Sequence, residues 1–335
     1  MKTKIILFTT LFLAVGFLLP AQKQIKLGII GLDTSHSIAF TKLLNNENKE
    51  EKYKDFRIVA AYPYGSKTIK SSYERIPDYI KQVEDLGVEI VPSIADLLKK
   101  VDCVLLETND GNLHLEQANE VFKAGKITFI DKPVGATLAQ AIAIFKLAKQ
   151  YNVPIFSSSS LRFVPQTQKI KNGEFGKIMG ADCYSPHHKE PSHPDFGWYG
   201  IHGVEMLFTV MGTGCISVNR MSADSTDVVV GKWNDGRIGT FRGLQQGPSI
   251  YGGTAFTPKG AVPVGPYQGY EVLLDEILNF FKTRIPPVNE KETLEIFTFM
   301  EASNQSMSKG GKIISMKETY QKGEKEAEKL IRKLK

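Results

Sequence analysis

The 335-residue chain has few cysteines, no cluster of basic residues and no internal repeats. Three cysteines at wide spacing do not predict a disulfide framework, although a bridge between Cys183 and Cys215 stays open as an alternative. The net charge of +6 comes from scattered residues, so nucleic acid is not an expected partner. The composition is that of a folded globular protein. Its 42% of hydrophobic residues can form one large core or two moderate ones.

The first 21 residues lack what a membrane anchor needs and have the pattern of a secretory signal peptide. Lys2 and Lys4 precede an apolar run, Ile5–Leu19, which is followed closely by Ala21. That run is shorter than the ~20 residues of a spanning helix. No cysteine follows it to carry a lipid, and no twin arginine precedes it. We therefore predict cleavage after residue 21, export to the periplasm, and no stable membrane anchor.

Residues 22–160 are predicted to form a Rossmann-type domain. Short apolar runs alternate there with amphipathic stretches, which is typical of β-α units around a doubly wound parallel sheet. Strands are predicted at 26–30, 57–62, 89–91, 103–107, 127–130 and 154–157. Helices are predicted at 37–44, 78–86, 94–99, 113–124 and 138–151. The first half of the chain is therefore predicted to be α/β.

Residues 161–335 are predicted to form a second, α+β domain. Segments rich in β-branched and aromatic residues appear here, and Asn234–Arg237 has the composition of a hairpin turn. Strands are predicted at 178–184, 217–222, 228–233, 238–242 and 251–256, and helices at 200–211, 270–282, 290–308 and 318–333. A mostly antiparallel, open-faced sheet with helices on one face is the simplest arrangement of these elements.

The turn after the first predicted strand lacks two glycines of a dinucleotide-binding fingerprint. In G-x-G-x-x-G, Gly31 is the first glycine, while Asp33 and His36 stand where the second and third should be. The second glycine lets the pyrophosphate approach the backbone, so a carboxylate there opposes its charge. Thr34 and Ser35 could still cap the next helix and present backbone amides to a phosphate. An ordinary helix-capping turn, or a catalytic role for Asp33 and His36, stays open.

Polar residues follow three of the predicted parallel strands. They are Asp33–His36 after the first strand, Glu107–Asp110 after the fourth and Asp131–Pro133 after the fifth. Right-handed crossovers bring the carboxyl ends of these strands to one edge, where such sheets bind ligands. Proline after Lys132 disfavours a helix and holds the ammonium at the strand end. A surface lysine without function is the alternative.

Several of these segments together resemble the Gfo/Idh/MocA family, which includes glucose-fructose oxidoreductase and inositol dehydrogenase. Asp131-Lys132-Pro133 is similar to the family's Glu-Lys-Pro. The other matching segments are Gly28–Gly31, Asn109–His114 with Ala118, Gly200–His202, Gly253–Gly260 and the helix Glu290–Gly310. The resemblance covers essentially the whole chain after residue 21.

The resemblance implies that Lys132 polarises the reacting oxygen and that His202 acts as acid or base during hydride transfer. It also implies NAD or NADP as cofactor, a carbohydrate in the cleft between the domains, and a homodimer or homotetramer. The residues expected at the cofactor are Gly28, Gly31, Asp33, Thr34, Ser35, His36, Ser66, Lys67, Asn109, His114 and Asp131. The residues expected at the substrate are Lys132, Arg162, His193, Tyr199 and His202.

Two further positions depart from the family pattern. Pro63 ends the second predicted strand, where an acid that holds the adenosine ribose would be expected. Ser66 and Lys67 follow closely and could hold a 2′-phosphate instead, although the same change could mean that no dinucleotide binds. Trp198 stands in place of the aspartate that precedes the catalytic histidine of the family by four residues.

Three of the six histidines fall in the segment His187–Asp195, which is rich in proline and acidic residues. A zinc or manganese site is chemically possible there, but the spacing matches no known ligand motif. We therefore predict a loop over the cleft and no metal site. Arg162, after the sixth strand, is expected to face the same cleft and bind a hydroxyl or carboxylate of the ligand.

The sequence thus predicts an exported NAD(P)-dependent oxidoreductase that acts on a sugar, polyol or glycoside. Two alternatives stay open. One is a non-redox carbohydrate lyase, hydrolase or epimerase on the same scaffold, and the other is a sugar-binding protein without catalytic activity.

Overall fold

The computed structural model describes residues 24–334, so the predicted signal peptide lies outside the described residues. Residues 24–160 form a six-stranded sheet in the order β3-β2-β1-β4-β5-β6, and every neighbouring pair is parallel. Its strands are β1 (Ile25–Ile30), β2 (Phe56–Tyr62), β3 (Glu89–Ile90), β4 (Cys103–Leu106), β5 (Ile127–Ile130) and β6 (Ile155–Phe156). The predicted Rossmann-type sheet is therefore confirmed.

Helices cover both faces of this sheet, and its central strands are consequently apolar on both sides. All four residues of β4 and all four of β5 are buried, as expected for strands of a doubly wound sheet. The helices are α1 (Ser35–Asn45), α2 (Lys70–Tyr73), α3 (Ile76–Glu84), α4 (Ile94–Leu98), α5 (His114–Lys123) and α6 (Leu138–Gln150). Thr137 and Gln140 form a capping box that starts α6 directly after the loop of Lys132.

The second sheet has seven strands in the order β12-β11-β7-β10-β9-β8-β13. They are β7 (Gly180–Pro186), β8 (Cys215–Ala223), β9 (Thr226–Trp233), β10 (Ile238–Leu244), β11 (Gly252–Thr257), β12 (Gly260–Val264) and β13 (Ile314–Ser315). The hairpin predicted at residues 234–237 joins β9 to β10. One pair, β10 with β7, is parallel, so the sheet is mixed but mostly antiparallel. The strands β12 and β13 were not predicted from the sequence.

The helices after residue 160 are divided between the two sheets. They are α7 (Pro165–Lys171), α8 (Gly200–Met211), α9 (Glu271–Thr283), α10 (Glu290–Ser308) and α11 (Met316–Lys333). Helix α8 packs on β7 and β10, whereas α9 contributes Leu273, Ile277 and Phe280 to the core beneath β1 and β5. Helix α11 packs against α6. The chain thus returns to the first domain with α9 and α11 after building most of the second sheet.

The remaining sequence predictions about global features have mixed outcomes. Cys103, Cys183 and Cys215 are all free and buried, so the alternative of a Cys183–Cys215 bridge is wrong. Within residues 24–334, no helix is long and apolar enough to cross a membrane.

Candidate active site

A cavity of about 310 Å³ lies between the two sheets, at the carboxyl ends of β1, β4 and β5. This is the edge at which a doubly wound sheet binds its ligands. The first domain contributes Thr34, Ser35, His36, Asn109, Asp131 and Lys132 to its wall. The second domain contributes Trp198, Tyr199, His202, Tyr251, Tyr267 and Tyr270. The structure therefore brings the predicted catalytic pair, Lys132 and His202, to one cavity.

The turn at Gly31 places α1 with its first turn facing this cavity. Gly31 has φ +91°, and a Cβ there would lie 2.5 Å from the backbone nitrogen of Thr108. Thr34 occupies the N-cap position of α1, yet its side chain makes no capping hydrogen bond and its buried Oγ1 has no partner. The first turn of α1 carries no acidic residue. These uncapped backbone amides, with the unpartnered hydroxyl, fit the pyrophosphate of a dinucleotide.

The Asp33 side chain turns away from the helix terminus and bridges two other loops. Its carboxylate accepts hydrogen bonds from the backbone N–H of Ser66 at 3.0 Å and from that of Asn109 at 2.9 Å. Burial raises the pKa of Asp33 to about 6, although the two backbone donors oppose the rise. A Cβ at Gly65 would lie 2.0 Å from the carboxylate, so this bridge requires glycine at that position.

A second cavity of about 420 Å³ lies beside the Asp33 bridge, at the end of β2. It is lined by Tyr62, Gly65, Lys67 and Asp110, and by residues of α5. The position at the end of the second strand is where an adenosine would lie in a dinucleotide-binding sheet. The residues present therefore fit the two ends of an extended dinucleotide, with Asp33 between them.

His36 lies between two buried carboxylates at the floor of the first cavity. Its Nδ1 is 3.1 Å from Asp131 Oδ1 and 3.5 Å from Glu107 Oε2. Burial lowers the pKa of His36, but the two carboxylates outweigh burial and raise it to about 10. Burial raises the pKa of Glu107 to about 7, whereas His36 and Lys132 bring that of Asp131 down to about 2 against the effect of burial.

His202 stands in the first turn of α8 with its ring directed at the same cavity. Its Nδ1 is 2.8 Å from the Ser159 hydroxyl. Burial, together with the nearby Lys132 ammonium, holds the pKa of His202 well below its ordinary value. The imidazole is therefore neutral at neutral pH, which is the state a proton acceptor needs.

Arg162, predicted at the substrate, is instead a buried structural cation. Its side chain is 0% exposed, its Nε donates to Glu205 at 2.7 Å, and its Nη1 donates to Glu292. Because both partners lie in the interior, the guanidinium faces α8 and α10 instead of the cleft. The expectation that it binds a ligand hydroxyl or carboxylate is wrong.

Three other predicted site residues contact other parts of the fold and do not line the first cavity. Gly28 lies inside β1, where a Cβ would come within 2.7 Å of Leu97, so it serves packing against α4. Both ring nitrogens of His114 face backbone carbonyls, of Thr108 at 2.6 Å and of Pro133 at 3.0 Å. His193 Nε2 accepts from the backbone N–H of Gly111 at 3.1 Å. None of these three side chains or positions lines the first cavity.

Ser66 and Lys67 were both predicted to hold a 2′-phosphate, but one is buried and the other is exposed. The buried Ser66 hydroxyl donates to Asp110 at 3.1 Å, and Lys67 is exposed at the rim of the second cavity. Ser66 is thus already paired, and only Lys67 is free to meet a ligand there.

The segment His187–Asp195, predicted to be a loop over the cleft, is held by ion pairs to the second sheet. His187 Nδ1 is 2.8 Å from Asp227, its Nε2 is 2.7 Å from Asp195, and Arg220 contacts both carboxylates. His187 and Asp195 are therefore engaged in ion pairs, whereas His188 Nε2 lies 3.2 Å from the Ser249 hydroxyl and Glu190 accepts a hydrogen bond from the Ser192 hydroxyl at 3.1 Å. The loop leads into Trp198 and Tyr199, which line the cavity.

Three cavity residues that the sequence did not indicate are Tyr251, Tyr267 and Tyr270. The ring of Tyr251 stands edge-on to His202, with centroids 5.6 Å apart. The hydroxyl of Tyr270 is 2.9 Å from that of Ser35 and so joins the second domain to the start of α1. No motif surrounds these tyrosines, so only the fold could reveal their position.

Comparison with known proteins finds a similarity between the first domain and one family of oxidoreductases. Residues 25–158 match the family described as "Oxidoreductase family, NAD-binding Rossmann fold", GFO_IDH_MocA. A stretch of 111 residues is 26% identical to the uncharacterized oxidoreductase YhhX of Escherichia coli strain K12. That match spans 30% of this chain and 32% of the relative, about a third of the relative's length.

Solved structures of inositol dehydrogenases have the same two-domain fold. The scyllo-inositol dehydrogenase of Lactobacillus casei, with bound NAD(H) and scyllo-inositol, has a TM-score of 0.70 at 15% identity and is similar over 88% of this chain and 100% of that one. The myo-inositol 2-dehydrogenase of Lactobacillus plantarum has a TM-score of 0.71 at 19% identity, over 88% and 99% of the two chains. The Rossmann domain of the chain is therefore similar to the NAD-binding oxidoreductase family GFO_IDH_MocA, and the fold of the whole chain is similar to that of the inositol dehydrogenases.

Proposed function

We propose that the protein is a nicotinamide-dependent dehydrogenase that oxidises or reduces one carbon of a sugar or polyol. The observation that carries this proposal is the meeting of Lys132 and a neutral His202 in one cavity, beside the uncapped first turn of α1. When bound, the cofactor supplies hydride transfer to or from the substrate carbon. The residues of this chain then have to bind the substrate and move its hydroxyl proton.

Lys132 and His202 divide the proton chemistry between them. A carbinol carbon releases hydride only as its hydroxyl loses a proton. When Nδ1 of His202 donates to Ser159, its Nε2 keeps a lone pair that can accept this proton. The Lys132 ammonium stabilises the negative charge that develops on the same oxygen. In the reverse direction the two residues return the proton to a carbonyl oxygen.

The charges around the second cavity favour NAD over NADP. Asp110, Glu116 and Glu120 line it, against the single ammonium of Lys67. A 2′-phosphate would add negative charge to a surface that already carries more acid than base. The phosphates that both cofactors share would meet the backbone amides at Thr34 and Ser35.

The wall of the first cavity that the second domain contributes suits a polyhydroxylated ring. Trp198, Tyr199 and Tyr251 offer flat apolar surfaces for C–H groups, and their polar atoms, with those of Asn109, offer partners for hydroxyls. The neighbouring structure with bound scyllo-inositol supports a cyclic polyol as the substrate class.

We also propose that the protein is exported and works as a homodimer or homotetramer. The pattern of residues 1–21 supports export, and the exposed Ile216, Met221, Ile238 and Phe256 of the second sheet support self-association. Since free nicotinamide cofactor is not expected outside the cytoplasm, the protein would retain its cofactor and recycle it between two substrates. N-terminal sequencing of the periplasmic fraction and light scattering would test these points.

The first experiment asks whether a nucleotide is present. Native protein is denatured, and the small molecules that it releases are analysed by mass spectrometry, with parallel melting curves in millimolar NAD or NADP. Released NAD(H), or a higher melting temperature with NAD than with NADP, is expected. No nucleotide and no shift with either cofactor would overturn the redox proposal in favour of a non-redox enzyme or a binding protein.

The second experiment tests the assignment of Lys132. The variant Lys132→Ala should lose at least about a hundredfold in kcat on its best polyol and keep its melting temperature. The control Lys123→Ala removes an exposed ammonium from α5 and should keep full activity. If Lys132→Ala turned over normally, the proposed proton chemistry would be wrong.

A further inference from the structure

We propose that His36, Glu107 and Asp131 form a binding site for one divalent transition-metal cation at the floor of the first cavity. Glu107 and Asp131 directly follow the strands β4 and β5, and His36 lies in the first turn of α1, the helix that follows β1. Among residues 24–334, this is the one group of His, Cys, Asp and Glu side chains with donor atoms close enough to share an ion, within 4.8 Å of one another.

The spacing of the donors fits a shared ion. Ligands about 2.1 Å from one cation, at angles of about 90–110°, are about 3.0–3.4 Å apart. The Nδ1 of His36 lies 3.1 Å from Asp131 Oδ1 and 3.5 Å from Glu107 Oε2. The three donors therefore need only small side-chain movements to coordinate the same ion.

The three side chains are also buried, and among their donor atoms only Asp131 Oδ1 has a hydrogen-bond partner outside the group in the described part of the chain, the backbone N–H of Lys132 at 2.8 Å. Glu107 is 0% exposed, and neither of its carboxylate oxygens has a hydrogen bond; Asp131 Oδ2 and His36 Nδ1 are likewise without one. A buried carboxylate whose oxygens accept no hydrogen bond is costly, and the His36 imidazole, 3.5 Å from one of the two oxygens of Glu107, offsets only part of that cost. A cation between the three side chains would satisfy these atoms at once.

The donor set and its exposure define the kind of ion. One imidazole with two carboxylates suits Mn²⁺, Fe²⁺ or Zn²⁺, whereas soft cations prefer sulfur. His36 and Asp131 both line the cavity, so the remaining coordination positions face the place where substrate would lie. Lys132 also lines this cavity, and its charge opposes a second cation there.

The test measures cation binding directly, without substrate or nicotinamide. The full protein is freed of metal with a chelator and titrated with MnCl2 while electron paramagnetic resonance reports free Mn²⁺, and ZnCl2 is then added as a competitor. One bound Mn²⁺ per chain, displaced by Zn²⁺, is expected. No binding of either ion at millimolar concentration would overturn the proposal and would leave the dehydrogenase proposal untouched.

Two variants test which residues bind. Glu107→Gln should weaken Mn²⁺ binding by at least about tenfold, and His36→Asn should do the same if the first variant fails to fold. The matched control Asp110→Asn removes a buried carboxylate from the same edge of the sheet, outside the donor set, and should bind as the wild type does. Equal binding by a folded Glu107→Gln variant would show that the ion lies elsewhere.

Discussion

The buried carboxylate of Asp33 should make the protein less stable as pH rises. Burial raises the pKa of this group to about 6 in the folded protein, from an ordinary value of 3.8. The folded state therefore holds the Asp33 proton more tightly than the unfolded chain does. The stability contributed by this proton is complete below the unfolded pKa and is lost as pH rises through the folded pKa.

The magnitude follows from the difference between the two pKa values. Two pKa units correspond to about 3 kcal/mol of unfolding free energy, of which about 2 kcal/mol falls between about pH 4.5 and about pH 8. The variant Asp33→Asn cannot ionise and lacks this dependence. Relative to the wild type, it should therefore gain about 2 kcal/mol between these two pH values, whatever its stability at either one.

Urea unfolding of both proteins at the two pH values measures this double difference. The control Asp78→Asn removes an exposed carboxylate of α3, and its stability relative to the wild type should stay within about 0.5 kcal/mol. If Asp33→Asn behaved like this control, the carboxylate would not be desolvated as the structure describes, and the reasoning would fail.

Three other predictions concern residues that lie between the two cavities or hold α8 in place beside the first cavity. Asp33→Asn should bind NAD at least about threefold more tightly at neutral pH by calorimetry, because it removes negative charge between the two cavities; an unchanged affinity would contradict this. Glu205→Gln should lower the free energy of unfolding, measured with urea, by about 3 kcal/mol. The change removes one of the two carboxylates that pair with the buried Arg162, and it turns an amide N–H toward groups that donate hydrogen bonds to Glu205. Gly203→Ala should cost about 1–3 kcal/mol, because its Cβ would lie 2.4 Å from Phe241; a neutral effect would mean that α8 shifts freely.

The sequence predicted those parts of the fold that depend on local patterns. The strands β1, β2, β4 and β5 are rich in apolar residues, and their predicted limits agree with the structure to within a residue. The placement of Lys132 at a strand end was also accessible, because parallel strands bring their carboxyl ends to one edge. Lys132 lines the first cavity as this argument predicted, whereas His202, which belongs to α8, was expected there only because of the family resemblance.

Features that depend on distant partners were not accessible. Arg162 was expected in the cleft because it follows a strand, but its place is decided by Glu205 and Glu292, which lie 43 and 130 residues away. Similarly, Asp33 was expected to face the pyrophosphate, whereas amides of Ser66 and Asn109 draw it aside. The positions of both side chains depend on where a later segment of the chain packs. A local sequence pattern carries no information about that packing.

Asp33 and His36 replace two glycines of the fingerprint, and their effect on cofactor binding depends on the charged groups around them. With a proton on His36, the cluster that it forms with Glu107 and Asp131 has a net charge of about −1, close to the uncapped turn of α1. With a neutral imidazole and a divalent cation, the same cluster has a net charge of about zero, which favours a pyrophosphate at that turn. By linkage, a cation that strengthens nucleotide binding is itself bound more tightly by the same factor when nucleotide is present. The metal site and the cofactor site, although proposed from different observations, are therefore expected to be occupied together.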